Sequence, residues 1–61
     1  MSNFLKDNLN ARYVFDDGIS VSFDLIEEVL NGNINTTELQ SNLSLIEYEH
    51  IQEIIKFETG D

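Results

Sequence analysis

An α+β, mainly α architecture is expected from three features of this 61-residue chain. Residues 12–21 carry two β-rich runs around the turn Asp16-Asp17-Gly18, the pattern of a short β-hairpin. Residues 22–58 carry three segments of helical periodicity. Each of those segments is preceded by a residue suited to N-capping: Ser22, Asn35 and Ser44. The expected result is a single small domain over residues 1–61, a hairpin followed by three helices in a helix-turn-helix-like arrangement.

Residues 1–11, "MSNFLKDNLNA", place Phe4, Leu5 and Leu9 at rough helical spacing interrupted by Asn3, Asn8 and Asn10. They read as an N-terminal arm or a short helix. The hairpin follows in "RYVFDDGISVS". A three-residue loop with Gly18 in the left-handed position sets Phe15 opposite Ile19 and Tyr13 opposite Val21. Those four side chains then share one face, and Ser20 and Ser22 share the other. An isolated hairpin is unstable, so the apolar face must cover a helical core.

The first helix is expected over 23–31. Ser22 caps it, while Asp24, Glu27 and Glu28 favour the positive end of its dipole. Leu25, Ile26, Val29 and Leu30 form its apolar stripe, and Asn31-Gly32 ends it. A short second helix starts at Asn35, with Glu38 placed to complete a capping box and Ile34 to staple against Leu39. The third repeats that grammar, with Ser44 and Glu47 as the box and Leu43 and Tyr48 as the staple. It is expected to run from 45 to about 58 and to fray at Thr59-Gly60. The sequons at Asn35 and Asn42 read as helix caps.

The third helix carries more apolar surface than a small core requires. Glu49, Gln52, Glu53 and Lys56 fill one polar arc, and Leu45, Ile46, Tyr48, Ile51, Ile54, Ile55 and Phe57 fill most of the rest. Two stripes result, Tyr48/Ile51/Ile55 and Ile46/His50/Ile54/Phe57. One suits the core of the chain and the other a second copy, which makes Ile46, His50, Ile54 and Phe57 the expected homodimer interface. The alternative is that the N-terminal arm and the hairpin wrap the helix from both sides. A chain this short buries only about 60% of its unfolded surface. It has no Cys and one His, so neither a disulfide nor a full zinc ligand set supports it. Self-association is the remaining common device.

Charge narrows the function classes. Twelve acids face three bases, a net charge of −9. The acids are distributed along the chain, and residues 29–51 contain no Lys or Arg. Nucleic acid and anionic membranes are poor partners for such a chain, and a basic protein surface is a good one. Solubility alone is the plainer explanation of the acidity. A DNA-reading helix presents Arg, Lys, Asn or Gln to the groove on a basic background. Here the exposed arc of the third helix offers Glu49, Gln52, Glu53 and Lys56.

No nucleophile, base and orienting group are visible as a set. Glu47 and His50 have the Glu-x-x-His spacing of carboxylate-bridged metal sites, but such sites need a second motif and further Glu ligands, and Glu47 already has a capping role. Asp16-Asp17 reads as turn chemistry, and the three glycines stand alone, without a phosphate cradle. The expectation is therefore no enzyme and no cofactor. No apolar run approaches the ~18 residues of a membrane span, and "MSNFLKDN" lacks the apolar core of a signal peptide. A cytoplasmic location is expected.

"GISVSFDLIEEVLNGNINTTELQSNLSLIEYEHIQEIIKFE" resembles the short antitoxin-like helix-turn-helix family known as domain of unknown function 433. The matching positions are Ile19 and Val21, Leu25 through Gly32, Leu39, and Leu43-Ser44 through Ile55, within a stretch covering about two thirds of the chain. The family's Gly-Thr-Arg before the Ile is replaced here by Asp16-Asp17-Gly18, which removes an Arg that would contact nucleic acid. The Pro common before the family's final cap is also missing. The resemblance implies a small dimerising module, often encoded beside PIN-like nucleases, with an antitoxin role.

These readings point to a small acidic, non-enzymatic protein-binding inhibitor. It would be antitoxin-like or of a phage anti-defence type, blocking a basic nucleic-acid-handling enzyme through an acidic surface, with nucleic-acid mimicry as one form of that block. The carboxylates expected at the partner are Asp24, Glu27, Glu28, Glu49 and Glu53, with Tyr13 and Tyr48 as aromatic anchors. The alternative is a dimeric helix-turn-helix regulator that binds DNA. An adaptor whose acidity is incidental comes third.

Overall fold

Alternation of inward and outward side chains begins earlier than the hairpin. In the structure, a computed structural model that describes residues 4–60, Phe4–Asp7 form β1, Arg12–Phe15 β2 and Ser20–Ser22 β3. The three strands make one antiparallel sheet in the order β1-β2-β3. β1 replaces the arm or short helix expected over 1–11, of which residues 1–3 lie outside the described residues. The helical spacing rested on Leu9, which sits in the β1–β2 turn and is 93% exposed. Phe4 instead pairs with Phe15 and Lys6 with Tyr13 across the sheet. The turn is held by Asn10, whose backbone N–H and side-chain amide both donate to Asp7, at 3.2 and 2.9 Å.

The hairpin has the register expected of it. Tyr13 pairs with Val21, and Phe15 N–H donates to the Ile19 carbonyl at 2.8 Å. Gly18 takes a φ of 90°, which a side chain would oppose. Asp17 accepts from the Ile19 N–H at 2.9 Å and fixes the loop.

Helix α1, Phe23–Leu30, follows β3 directly, capped by the Ser22 hydroxyl, which accepts from Leu25 N–H at 3.2 Å. It closes one residue earlier than expected. Gly32 N–H donates to the Val29 carbonyl and Asn33 N–H to the Glu28 carbonyl, with Gly32 at φ 78°. This pair of bonds is a Schellman motif and leaves few helix carbonyls unpaired. Helix α2, Thr36–Asn42, is capped by Asn35, which accepts from Glu38 N–H at 2.7 Å. Only this half of the expected box forms, because the Glu38 carboxylate has no hydrogen-bond partner among the described residues. Helix α3, Leu45–Thr59, has the complete box: Glu47 N–H donates to Ser44 Oγ, and Ser44 N–H donates to Glu47 Oε1. It runs a residue further than expected, to a left-handed cap at Gly60.

The core is Tyr13, Phe15, Val21, Ile26, Leu39, Ile51 and Ile54. It lies between the inner sheet face and the three helices. Ile54 is 0% exposed, so the expected dimer stripe on α3 is filled at its centre by the chain's own residues. His50 of the same stripe stacks on Phe15, with ring centroids 3.8 Å apart and an interplanar angle of 6°. Phe57 meets Phe4 edge-on at 5.4 Å. β1 brings Phe4 against this flank. Ile46 and Phe57, at opposite ends of the stripe, stay 54% and 58% exposed.

This burial makes a contrast measurable. Ile54→Ala leaves a cavity in the core and should cost about 2–5 kcal/mol in urea unfolding. Ile46→Ala, on the exposed end of the same stripe, should change stability by less than about 1 kcal/mol.

Candidate functional site

The helical period sets Asp24, Glu27 and Glu28 on one face of α1, at spacings of three and four residues, and all three are exposed. Ile26 faces the core from the opposite side. On α3, Glu49 is exposed and Glu53 half-exposed, one turn apart. The expected binding carboxylates therefore gather in two groups, three on α1 and two on α3.

The carboxylates divide by what they do within the chain. Asp7 fixes a turn and Asp17 the hairpin loop, while Glu47 completes a cap. Glu28 accepts from the Asn33 amide at 2.8 Å. Glu58 accepts from the Tyr13 hydroxyl at 2.7 Å and lies 3.6 Å from the Lys6 ammonium. Asp24, Glu27, Glu49 and Glu53 have no hydrogen bond or ion pair among the described residues. Arg12 neutralises none of them, since its guanidinium donates to the Ser20 hydroxyl and carbonyl.

Around the α2–α3 junction, Gln40, Leu43, Leu45, Tyr48 and Glu49 line a cleft of about 330 Å³. Leu45 is 73% exposed there and Tyr48 is half-buried. An aromatic ring, an aliphatic wall and an unpaired carboxylate thus stand side by side. Tyr48 and Glu49 line one cleft.

Tyr13 is not an anchor for a partner. It is 4% exposed, and its ring packs against Phe4 and Phe23. The alternation of β2 turns it inward with Phe15, and its hydroxyl is taken by Glu58. Burial, and then the neighbouring Glu58 carboxylate, push its pKa up to about 12.

His50, expected at a homodimer interface, is also engaged within the chain. Besides stacking on Phe15, its Nε2 lies 2.6 Å from Asp17 Oδ2. Asp17 is held below the ordinary carboxylate range, first by the Ile19 N–H and then by His50. An ionised Asp17 requires Nε2 to carry the proton and donate it. This pair joins the hairpin loop to α3 across 33 residues of sequence, and no local pattern in the sequence signals it. Asn10 likewise lowers Asp7, and the Ser44 N–H and hydroxyl lower Glu47. Among the described residues no three His, Cys, Asp or Glu side chains gather to hold a metal ion, and no helix is long and apolar enough to cross a membrane.

No protein-family model, curated protein or solved structure matches the chain.

Two titrations follow from these groups. The lowered carboxyls of Asp7, Asp17 and Glu47 stabilise the fold above the ordinary carboxylate value of about 4. That contribution is lost as the pH falls through their lowered folded values. The melting temperature should accordingly drop between pH 4 and 2, with a shallower fall in Asp17→Asn and Glu47→Gln. Tyr13 has the opposite sign. Its raised pKa stabilises the fold below the ordinary tyrosine value of about 10, and that contribution is lost as the pH rises through the folded value. In a Tyr48→Phe background, tyrosinate absorbance should rise with a midpoint near 12, and return to an ordinary value in denaturant.

Proposed function

We propose that this chain is a small acidic, non-enzymatic inhibitor that binds a basic, nucleic-acid-handling enzyme in the cytoplasm, in the manner of an antitoxin or a phage anti-defence protein. The observation that carries the reading is the cleft where Tyr48 and the exposed Leu45 stand beside the unpaired Glu49. Such a cleft accepts an apolar side chain flanked by a basic one. Aromatic residues in a concave site are the commonest anchors of protein interfaces. Uncompensated carboxylates around them steer a basic surface into place and weaken its binding as salt rises.

Kinship with the nuclease-linked family named above, which no family-model match supports, would make the antitoxin form the one expected. Enzymes that hold phosphate carry the basic surface required, and an acidic protein on that surface excludes the nucleic acid. Direct reading of DNA is disfavoured by Glu49 and Glu53 on the outer arc of α3, which repel the backbone that a regulator must approach.

Pull-down from a host lysate at low and high salt, followed by mass spectrometry, identifies the enzyme. With that target in hand, Glu49→Lys/Glu53→Lys should weaken binding on the order of tenfold at low salt and flatten its salt dependence. The fold should survive. The unmodified protein should not retard duplex DNA at physiological salt. Tight, salt-resistant binding to an operator sequence would favour the regulator. Normal target binding by the double Lys variant, with complete loss in a folded Tyr48→Ala variant, would make the contact apolar and the acidity a matter of solubility.

A further inference from the structure

A second cleft, of about 320 Å³ between the β1–β2 region and α1, is lined by Lys6, Tyr13, Phe23, Glu27, Leu30 and Glu58, among others. Its inner wall is aromatic. The Tyr13 and Phe23 rings are inclined by 57°, with centroids 4.8 Å apart. Lys6 holds its ammonium 5.6 Å from the Phe23 centroid and 6.0 Å from that of Tyr13. At these distances the ring quadrupoles attract a cation. The same ammonium is 3.6 Å from Glu58. The chain therefore already seats one of its own cations on this wall.

The anionic side of the cleft is not matched by that one ammonium. Glu58 is shared between the Tyr13 hydroxyl and Lys6. Glu27 lines the cleft from α1, is exposed, and has no partner among the described residues. One cation meets two carboxylates. Beside Glu27, Phe23 and the 45%-exposed Leu30 offer an apolar wall. A cleft near 300 Å³ lies at the lower end of the range for ligand sites. A carboxylate next to apolar surface matches a long basic side chain, which buries its methylenes and keeps its head polar.

We infer that this cleft seats a Lys or Arg side chain of the basic partner, its charge against Glu27 and its stem along Phe23 and Leu30. The inference rests on the reading of the chain as a binder of a basic protein. It adds a contact point separate from the Tyr48 cleft, and it gives Glu27 a role distinct from that of its neighbours Asp24 and Glu28.

The test uses the full chain and small probes. n-Butylguanidinium and n-butylammonium are titrated in at constant ionic strength and followed by NMR, with neutral n-butylurea as the control. Both cations should give saturable shifts of the Phe23 ring and the Leu30 methyls, and the urea should not. Glu27→Gln should weaken the cations by roughly fivefold, the size of one part-exposed ion pair. Intermolecular NOEs from the butyl methylenes to Phe23 and Leu30 in the unmodified protein locate the stem without any variant. Shifts that track the neutral probe, an unchanged affinity in folded Glu27→Gln, or NOEs away from the cleft would overturn the inference. No partner protein takes part, so failure here leaves the Glu49 and Glu53 experiment standing. Failure of that experiment beside saturable cation binding removes the proposed partner and leaves the cation seat.

Discussion

Closure of the sheet over α3 is the contact on which the remaining structure depends. Three pairs make it: Phe15 stacked on His50, Phe4 edge-on to Phe57, and the Tyr13 hydroxyl bonded to Glu58. Together they span α3 from its middle to its last turn. Ile54, between His50 and Phe57 in sequence, is fully buried, and α1 and α2 close the core from other directions. A sheet of three short strands is marginal without a helix on its face, and a 15-residue helix is marginal without tertiary packing. Each is stabilised by the other. The site depends on this as well, since α3 presents Tyr48 and Glu49 at one end and holds Glu58 against the cation cleft at the other.

What was legible in the sequence was local. Ser22, Asn35 and Ser44 each cap the helix that follows, because a capping bond spans three residues and can be read from a few letters. The hairpin register followed from the position of Gly18 and the two-residue period around it. β1 was not legible. Its partner is Phe15, eleven residues on, across a turn held by Asp7 and Asn10. Four residues of alternation are too few to outweigh the helical spacing suggested by Leu9. Without β1, the edge of α3 that Phe4 meets reads as uncovered. A helical wheel shows how much apolar arc must be covered, and it is silent on whether a strand of the same chain or a second chain covers it.

The same division holds for the candidate site. Tyr48 and Glu49 are sequence neighbours, and the acids of α1 share a face by helical period, so both groups were visible. Tyr13 was placed on the inner face of the hairpin by its register, which already opposed its use as an outward anchor. The Asp17–His50 pair and the seat of Lys6 between two rings and Glu58 join residues far apart in sequence. Only the folded chain brings them together.

The placement of the acids on α1 and α3 also bears on whether their charge is incidental. Asp24 and Glu28 are four residues apart on α1, as are Glu49 and Glu53 on α3. Like charges at that spacing destabilise a helix by about 0.2–0.5 kcal/mol per pair. Net charge this far from zero also opposes compaction, in a chain too short for a large core. Solubility requires charge, and it does not require like charges stacked along one helix face beside an open apolar cleft. Lys6 already sits against Glu58 and Arg12 is spent on Ser20, which leaves Lys56, one turn from Glu53, as the remaining basic side chain for these pairs. A basic partner would relieve them. Repulsion stored on α1 and α3 in the free protein would then be released on binding, which favours the complex over either partner alone.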